Sequence, residues 1–189
     1  DVVVNAAAYT AVDRAESEPE AAFRANAEAP AALARGCATT GALLVHYSTD
    51  YVFDGRSARP YREDDATAPL GVYGMSKRAG EEAIRASGAR HMILRTAWVY
   101  AAQGRNFLRT MLRLAAEREE LRVVADQVGA PTPAAWIAEA TGQLLRQGVP
   151  ASGTWHLTAA GETSWHGFAQ AIMDEAQAAG LLARPPRVL

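Results

Sequence analysis

Leu43-Leu44-Val45-His46-Tyr47-Ser48-Thr49-Asp50 begins as an apolar run and turns polar toward its end. It reads as a buried strand with Thr49-Asp50 at its carboxyl end, the end at which open α/β sheets bind ligands. Val52-Phe53-Asp54-Gly55 then turns the chain, and a polar, Pro-bounded loop runs from Arg56 to Pro69. Beyond it stands Tyr73-Gly74-Met75-Ser76-Lys77. The spacing predicts a helix with Tyr73 and Lys77 on one face. A free phenol has a pKa of about 10, too high for easy proton transfer near neutrality. A neighbouring ammonium favours the phenolate and is expected to draw that value down. Such a pair suits chemistry in which a carbonyl oxygen is protonated while a hydride reaches its carbon.

Composition sharpens the signal. Lys77 is the one lysine among 19 basic residues, the rest being arginine. A guanidinium is broad, planar and permanently charged, so it is a poor substitute for a compact ammonium that must titrate. In a chain with six tyrosines, a sole lysine falls four residues after one of them by chance roughly 3% of the time. The coincidence is small enough to favour a functional pair over an ordinary helix-surface pair.

The 189 residues suffice for one domain, or one domain and a small lobe, around a real core. With 49% hydrophobic and 21% charged residues and a net charge of −2, there is no basic excess for nucleic acid and no charge block of the kind that forms a disordered tail. No apolar run is long enough to span a bilayer, and nothing resembles a signal peptide. Lone Cys37 leaves no internal disulfide, suits a reducing cytoplasm, and reads as a small buried hydrophobe. Asp1-Val2-Val3-Val4 opens without an initiator Met, in what reads as the middle of a buried strand, and a longer parent chain is expected.

In order, Val2 to Val4 is a strand ending in the small residues Asn5-Ala6-Ala7-Ala8, where a ligand could approach the backbone. Val12 to Thr40 reads as two helices broken near Asn26 to Pro30 and closed by Gly41. The Tyr73 helix is expected to run to about Ser87, with Gly88 at its end. Met92 to Thr96 is a further strand ending at Ala97-Trp98-Val99-Tyr100. Phe107, Met111, Leu112, Leu114 and Ala115 mark the core face of a helix. Leu121 to Val124 reads as a short strand. Gln127 to Pro133 reads as a Gly/Pro loop with room for a ligand, followed by a helix to about Arg146. Gly153 to Leu157 is a strand, and Ser164 caps a final helix to Ala179. This alternation predicts an α/β fold with a mostly parallel sheet.

Three clusters fall at one rim of such a sheet: Ala6 to Thr10, Ser48 to Tyr51, and Ala97 to Tyr100. There Thr49 can offer a hydroxyl to a substrate oxygen, Asp50 can accept from a sugar hydroxyl or orient a proton relay, and Trp98 can stack on a ring or cover a sugar face. His46, His91, His156 and His166 are scattered without metal-ligand spacing, and a structural role is the default for each. There is no Gly-x-Ser-x-Gly elbow, and Cys37 has no evident base, so nucleophilic hydrolysis finds no support.

The Tyr-x-x-x-Lys with an upstream Ser/Thr resembles the short-chain dehydrogenases/reductases. Residues 4–13, 46–55, 73–77, 95–100 and 126–132 together resemble the dTDP-4-dehydrorhamnose reductases of the extended branch of that family, and the likeness runs from Asp1 to about Gly180. The resemblance implies a Rossmann-like, doubly wound sheet lacking its first strands, with a small C-terminal substrate lobe. Residues 1–125 would be the remainder of the NADP-binding domain and 126–189 mainly the substrate lobe, with an approximate boundary and room for the chain to cross between the two. Tyr73 would be the proton donor. Lys77 would hold the nicotinamide ribose and lower the Tyr73 pKa. Thr49 would polarise the sugar C4 carbonyl, with Asp50 and Trp98 lining the sugar site. Ala8, Tyr9, Thr10 and Tyr47 would contact NADPH, with NADH as the alternative cofactor. The implied partner is a nucleotide sugar in the cytoplasm, with neither nucleic acid nor membrane involved; whether the chain pairs as a homodimer or needs Mg2+ is left open. One departure matters: the Gly-x-x-Gly-x-x-Gly turn that receives the pyrophosphate in such reductases has no counterpart here. The chain on its own is therefore expected to be inactive. Two rival readings are a sugar-nucleotide epimerase or dehydratase, against which Tyr51 stands where dehydratases carry Glu, and a non-catalytic NADP-binding regulatory subunit of the same fold.

Overall fold

The apolar runs that begin near Val2, Leu43 and His91 lie side by side in the computed structural model, which describes residues 1–148 and 152–189. Strands β1 (Val2–Asn5), β2 (Leu43–Thr49) and β3 (His91–Thr96) are joined by β4 (Gly153–His156) in the order β1-β2-β3-β4, and every pairing is parallel. Parallel strands need long crossovers, and helices supply them here. The chain falls into two compact units, Asp1–Thr96 with Gln147–Leu157 and Ala97–Arg146 with Thr158–Leu189. The first unit runs to the end of β3, and the chain returns to it once so that β4 can pair with β3 from Met92↔Gly153 to Arg95↔His156.

In the first unit, α1 (Val12–Ala15), α2 (Pro19–Phe23) and α3 (Ala29–Thr40) cross from β1 to β2, and α4 (Val72–Ala86) crosses from β2 to β3. The break expected near Asn26 to Pro30 is a π-helical turn over Arg24–Glu28 through which the helix continues. Pro30 has no N–H for the Asn26 carbonyl four residues back, and the wider turn absorbs that mismatch. Gly41 (φ 72°) ends α3 in the left-handed conformation that glycine adopts without penalty. Ala34 and Cys37 of α3 and Ile84 of α4 pack with Ala42, Leu44, Ala89 and Ile93, so the cysteine is an ordinary core residue. β1 departs from the expectation of a buried strand. It is the sheet edge, and Val2 and Val4 are 48% and 49% exposed.

The second unit is built on α5 (Phe107–Glu117), α6 (Ala134–Gln147) and α7 (Trp165–Ala178). Asn106 and Ser164 cap α5 and α7, their side-chain oxygens accepting from the N–H groups of Arg109 and Gly167 at 3.1 and 3.0 Å. Met111 and Ala115 pack against Ala169, Ile172 and Met173, with Leu121 and Val188. The strand expected over Leu121 to Val124 is only Glu120–Leu121, paired with Arg187–Val188. The loop expected to leave room for a ligand is tied down by two short ladders, Val128–Gly129 with Thr163–Ser164 and Thr132–Pro133 with Val99–Tyr100. Its space is taken by Trp98: a Cβ on Gly129 would stand 2.5 Å from the indole. Among the described residues, no helix is long and apolar enough to cross a membrane.

Candidate active site

Thr49 closes β2 and caps a 3-10 turn over Asp50–Val52, its hydroxyl oxygen accepting from the Tyr51 N–H at 3.2 Å. The same hydroxyl donates to Asp50 Oδ1 at 3.0 Å. The Tyr73 phenol lies against the same hydroxyl, which favours its ionised form. The approach of α4 that makes this contact depends on Gly74, where a Cβ would lie 2.2 Å from the Tyr51 carbonyl oxygen. Glu16 fixes the start of α4 by accepting from the Val72 N–H at 2.8 Å, a carboxylate at a helix amino terminus. The Tyr51 and Tyr73 rings meet edge to face at 5.5 Å.

The electrostatics run opposite to the lowering expected from the Tyr73/Lys77 spacing. Burial pushes the Tyr73 phenol up to about 12; the Thr49 hydrogen bond opposes this, while Asp50 and Tyr51 add to it. Lys77, 2% exposed, sends its Nζ down into the sheet, donating to the Tyr47 carbonyl at 2.6 Å and lying 3.4 Å from His46 Nε2. Helical spacing puts Tyr73 and Lys77 on one face, but a four-carbon stem lets the ammonium leave that face. Burial pulls the Lys77 ammonium down to about 8, against the pull of Glu81. Burial also raises the Asp50 carboxyl, against the hydrogen bonds from Thr49 and from the backbone of Asp50 and Tyr51.

Several residues that motif reading passed over complete the site. Asn26, in the π-helical turn, accepts from the Tyr9 N–H at 2.8 Å and donates to the Tyr9 carbonyl at 3.0 Å. Its amide also donates to Ser76 Oγ at 3.0 Å, and Ser76 donates to the Tyr73 carbonyl at 2.7 Å. The loop after β1 is thereby pinned to the helix that carries Tyr73. Gly80 permits the close packing, since a Cβ there would stand 2.1 Å from the Asn26 carbonyl oxygen. Deeper, Glu81 accepts from Arg95 at 2.9 and 2.8 Å, both residues being buried. Burial alone would raise the Glu81 carboxyl, but the Arg95 hydrogen bonds and the Arg95 and Arg85 charges together hold it low. An asparagine inside an Ala-rich helix was the only signal for Asn26, and nothing in the local sequence paired Glu81 with Arg95.

Of the residues singled out from the sequence, Thr49 and Asp50 are hydrogen-bonded and the Tyr73 phenol lies against them, with Lys77 below on the Tyr47 carbonyl. Tyr47 itself is half-buried, Ala8 and Thr10 are exposed, and the Tyr9 hydroxyl donates to Glu18 at 2.8 Å. Ala6 to Ala8, at the carboxyl end of β1, are small and exposed, which fits the close approach of the expected dinucleotide. Trp98 is built separately, in the second unit. It is the one non-glycine residue with positive φ (48°) among those described, and its ring stacks on Trp165 at 3.5 Å. A bulky residue held there costs of order 1–3 kcal/mol, and strain of this kind clusters at ligand sites. Among the described residues, no group of three or more His, Cys, Asp or Glu could hold a metal ion.

A parallel α/β sheet with its polar cluster at the carboxyl ends of the strands is a Rossmann-like architecture. The chain belongs to the RmlD substrate-binding-domain family, whose model matches residues 1–187. It is 52% identical over 184 residues to a dTDP-4-dehydrorhamnose reductase of Salmonella typhimurium, covering 96% of this chain and 62% of the relative. It is 56% identical over 180 residues to one from Burkholderia thailandensis, covering 92% and 60%. The crystal structure of a Bacillus anthracis dTDP-4-dehydrorhamnose reductase in complex with NADP matches all of this chain and 64% of its own, with a TM-score of 0.91 and 39% identity. The chain thus spans about three-fifths of the length of these curated relatives.

Proposed function

We propose that this chain carries the catalytic residues of an NADPH-dependent reductase that converts dTDP-4-dehydro-L-rhamnose to dTDP-L-rhamnose. The observation that carries the reading is the cluster of Tyr73, Thr49 and Asp50 at the carboxyl end of β2, with Lys77 one helical turn further along α4. Its similarity to dTDP-4-dehydrorhamnose reductases supports the substrate, and the NADP bound by the Bacillus anthracis protein supports the cofactor.

NADPH, when bound, supplies the hydride that passes from nicotinamide C4 to the sugar C4. The chain's own residues do the rest. Thr49 donates to the C4 carbonyl oxygen and polarises it. Tyr73, whose phenol at about 12 keeps its proton at neutral pH, gives that proton to the same oxygen as negative charge develops there. The product is a C4 hydroxyl and a tyrosinate, which the Lys77 ammonium stabilises before the proton is replaced. Lys77 would also hold the nicotinamide ribose, its ammonium turning from the Tyr47 carbonyl toward the rim to do so. Ala8, Tyr9, Thr10 and Tyr47 line the cofactor, and Asp50 and Trp98 line the sugar. The first unit in this reading is mainly the dinucleotide-binding part and the second mainly the sugar-nucleotide part, and a nucleotide sugar and NADPH as substrates support a cytoplasmic setting.

The test uses protein from the longest reading frame that contains these 189 residues. Mixed with NADPH and dTDP-4-dehydro-L-rhamnose, it is expected to consume NADPH, faster than NADH, and to yield dTDP-L-rhamnose. Cofactor bound but never consumed would replace the reductase with a non-catalytic binding subunit.

A further inference from the structure

His46 takes no part in the chemistry above, yet it is fully buried and both its ring nitrogens face polar neighbours. On β1, Asn5 pairs in register with His46 of β2, which places its side-chain amide 3.0 Å from Nδ1. The orientation of that amide follows from its other contact: Asn5 Oδ1 accepts from the Ala7 N–H at 3.2 Å, so the NH2 group faces the ring. On the opposite side, Nε2 lies 3.4 Å from Lys77 Nζ.

The imidazole is neutral here, because burial, reinforced by the Lys77 charge, pulls it down to about 3. A neutral ring carries one N–H and one lone pair. Asn5 offers a donor to Nδ1, which therefore holds the lone pair, and the proton must sit on Nε2, pointing at Lys77. An ammonium has no lone pair to receive it; a free amine does. The Lys77 nitrogen can then accept from His46 and still donate to the Tyr47 carbonyl at 2.6 Å.

We propose that His46, held by Asn5 with its proton on Nε2, is a positioning residue for Lys77 that makes its ammonium easier to deprotonate, and so readier to pass a proton to the rim, where the proposed reductase chemistry needs it. The other charged and titratable groups around α4 do not share this arrangement. Glu81, one turn further on, is engaged by Arg95 of β3 and by Arg85. Tyr73, Asp50 and Tyr51 lie toward the rim, and Glu16 sits at the start of the helix.

Lys77 is the only lysine of these 189 residues, and in protein carrying 15Nζ-labelled lysine the side-chain resonance that Lys77→Met removes identifies this site, so its pH titration can be followed. Substituting Asn5→Leu frees the tautomer, and His46→Phe removes the facing N–H. Each is expected to raise the Lys77 midpoint by roughly one pH unit. If the ring instead accepted from the ammonium, His46→Phe would lower the midpoint. A fall or no change in either variant overturns the proposal. The wild-type protein gives a second reading that needs no substitution: 15N shifts of the His46 ring are expected to show the proton on Nε2, and a proton on Nδ1 defeats the proposal. Neither measurement uses NADPH or sugar, so failure here is distinct from failure of the reductase reading. A corresponding shift in the pH–rate profile links the two.

Discussion

Helix α4 meets the sheet in two different ways. Toward its carboxyl end, Ile84 packs with Leu44, Ile93, Ala34 and Cys37, a contact made of hydrocarbon. Earlier along the helix, Ser76, Lys77 and Glu81 face Asn26, His46 and Arg95 and meet them through hydrogen bonds and charge. Burial stabilises the first half by about 25 cal/mol for each Å² of apolar surface removed from water. In the second half, desolvation of the charged groups offsets much of what their pairing returns. One helix therefore carries a stabilising half and a half that stability alone would not select.

Substitutions at the polar half should separate chemistry from folding. Tyr73→Phe has the largest expected effect: turnover falls roughly 10²–10⁴-fold through loss of general-acid catalysis, while unfolding free energy changes by no more than about 1 kcal/mol. Steady-state rates and urea unfolding on the same preparation check both, and turnover within a factor of about two of wild type would remove Tyr73 from the mechanism. Lys77→Arg should also be inactive, since the planar head cannot occupy the ammonium's place.

Breaking the deepest charge pair comes next. Glu81→Gln leaves Arg95 buried without its carboxylate and should cost about 3–5 kcal/mol in urea unfolding. Because the Glu81 carboxyl is held low in the folded chain, its contribution is present above the unfolded value of about 4.3 and is lost as pH falls through the lower folded one. The wild-type advantage over Glu81→Gln should therefore shrink toward acid pH; an advantage independent of pH would mean that the pair contributes nothing through its charge.

The apolar half gives the contrasting result. Ile84→Ala should destabilise by about 2–4 kcal/mol, with kcat per folded molecule unchanged. A loss of kcat under folded conditions would show that the two halves are coupled.

The smallest expected effect has the opposite sign. Lys77→Met should raise unfolding free energy at pH 7 by about 1–3 kcal/mol while abolishing turnover. Below about 8 Lys77 is charged in both states and folding must bury the charge; between about 8 and the ordinary 10.5 the folded chain loses the proton first, so wild-type stability rises with pH. The advantage of Met should therefore shrink across that window. Equal stability of the two proteins at pH 7 would show that the site is adapted to the ammonium.

Much of this was readable from residue order. Periodicity and capping residues placed α4, α5, α6 and α7 and all four main-sheet strands within a residue or two, because such signals act over a few neighbouring positions. They also marked Thr49, Asp50, Tyr73 and Lys77 as belonging together. Pro30 was read as a break because its effect on the hydrogen-bond ladder is local; that the helix passes it by a π-helical turn depends on Asn26 being held from outside, by Tyr9 and Ser76.

What tertiary structure alone decided was burial and direction. The sequence determined that a phenol and a sole ammonium share a helix face, but the sheet beneath that helix determined where the ammonium goes: to the Tyr47 carbonyl and the His46 ring. It likewise determined that Tyr73 is raised by desolvation, not lowered by its neighbour. Asn5 and His46, and Glu81 and Arg95, stand 41 and 14 residues apart and meet only through strand register and helix packing. Spacing along a chain sets which side chains share a face. The dielectric around them, and hence the state of their protons, depends on atoms contributed from elsewhere in the fold.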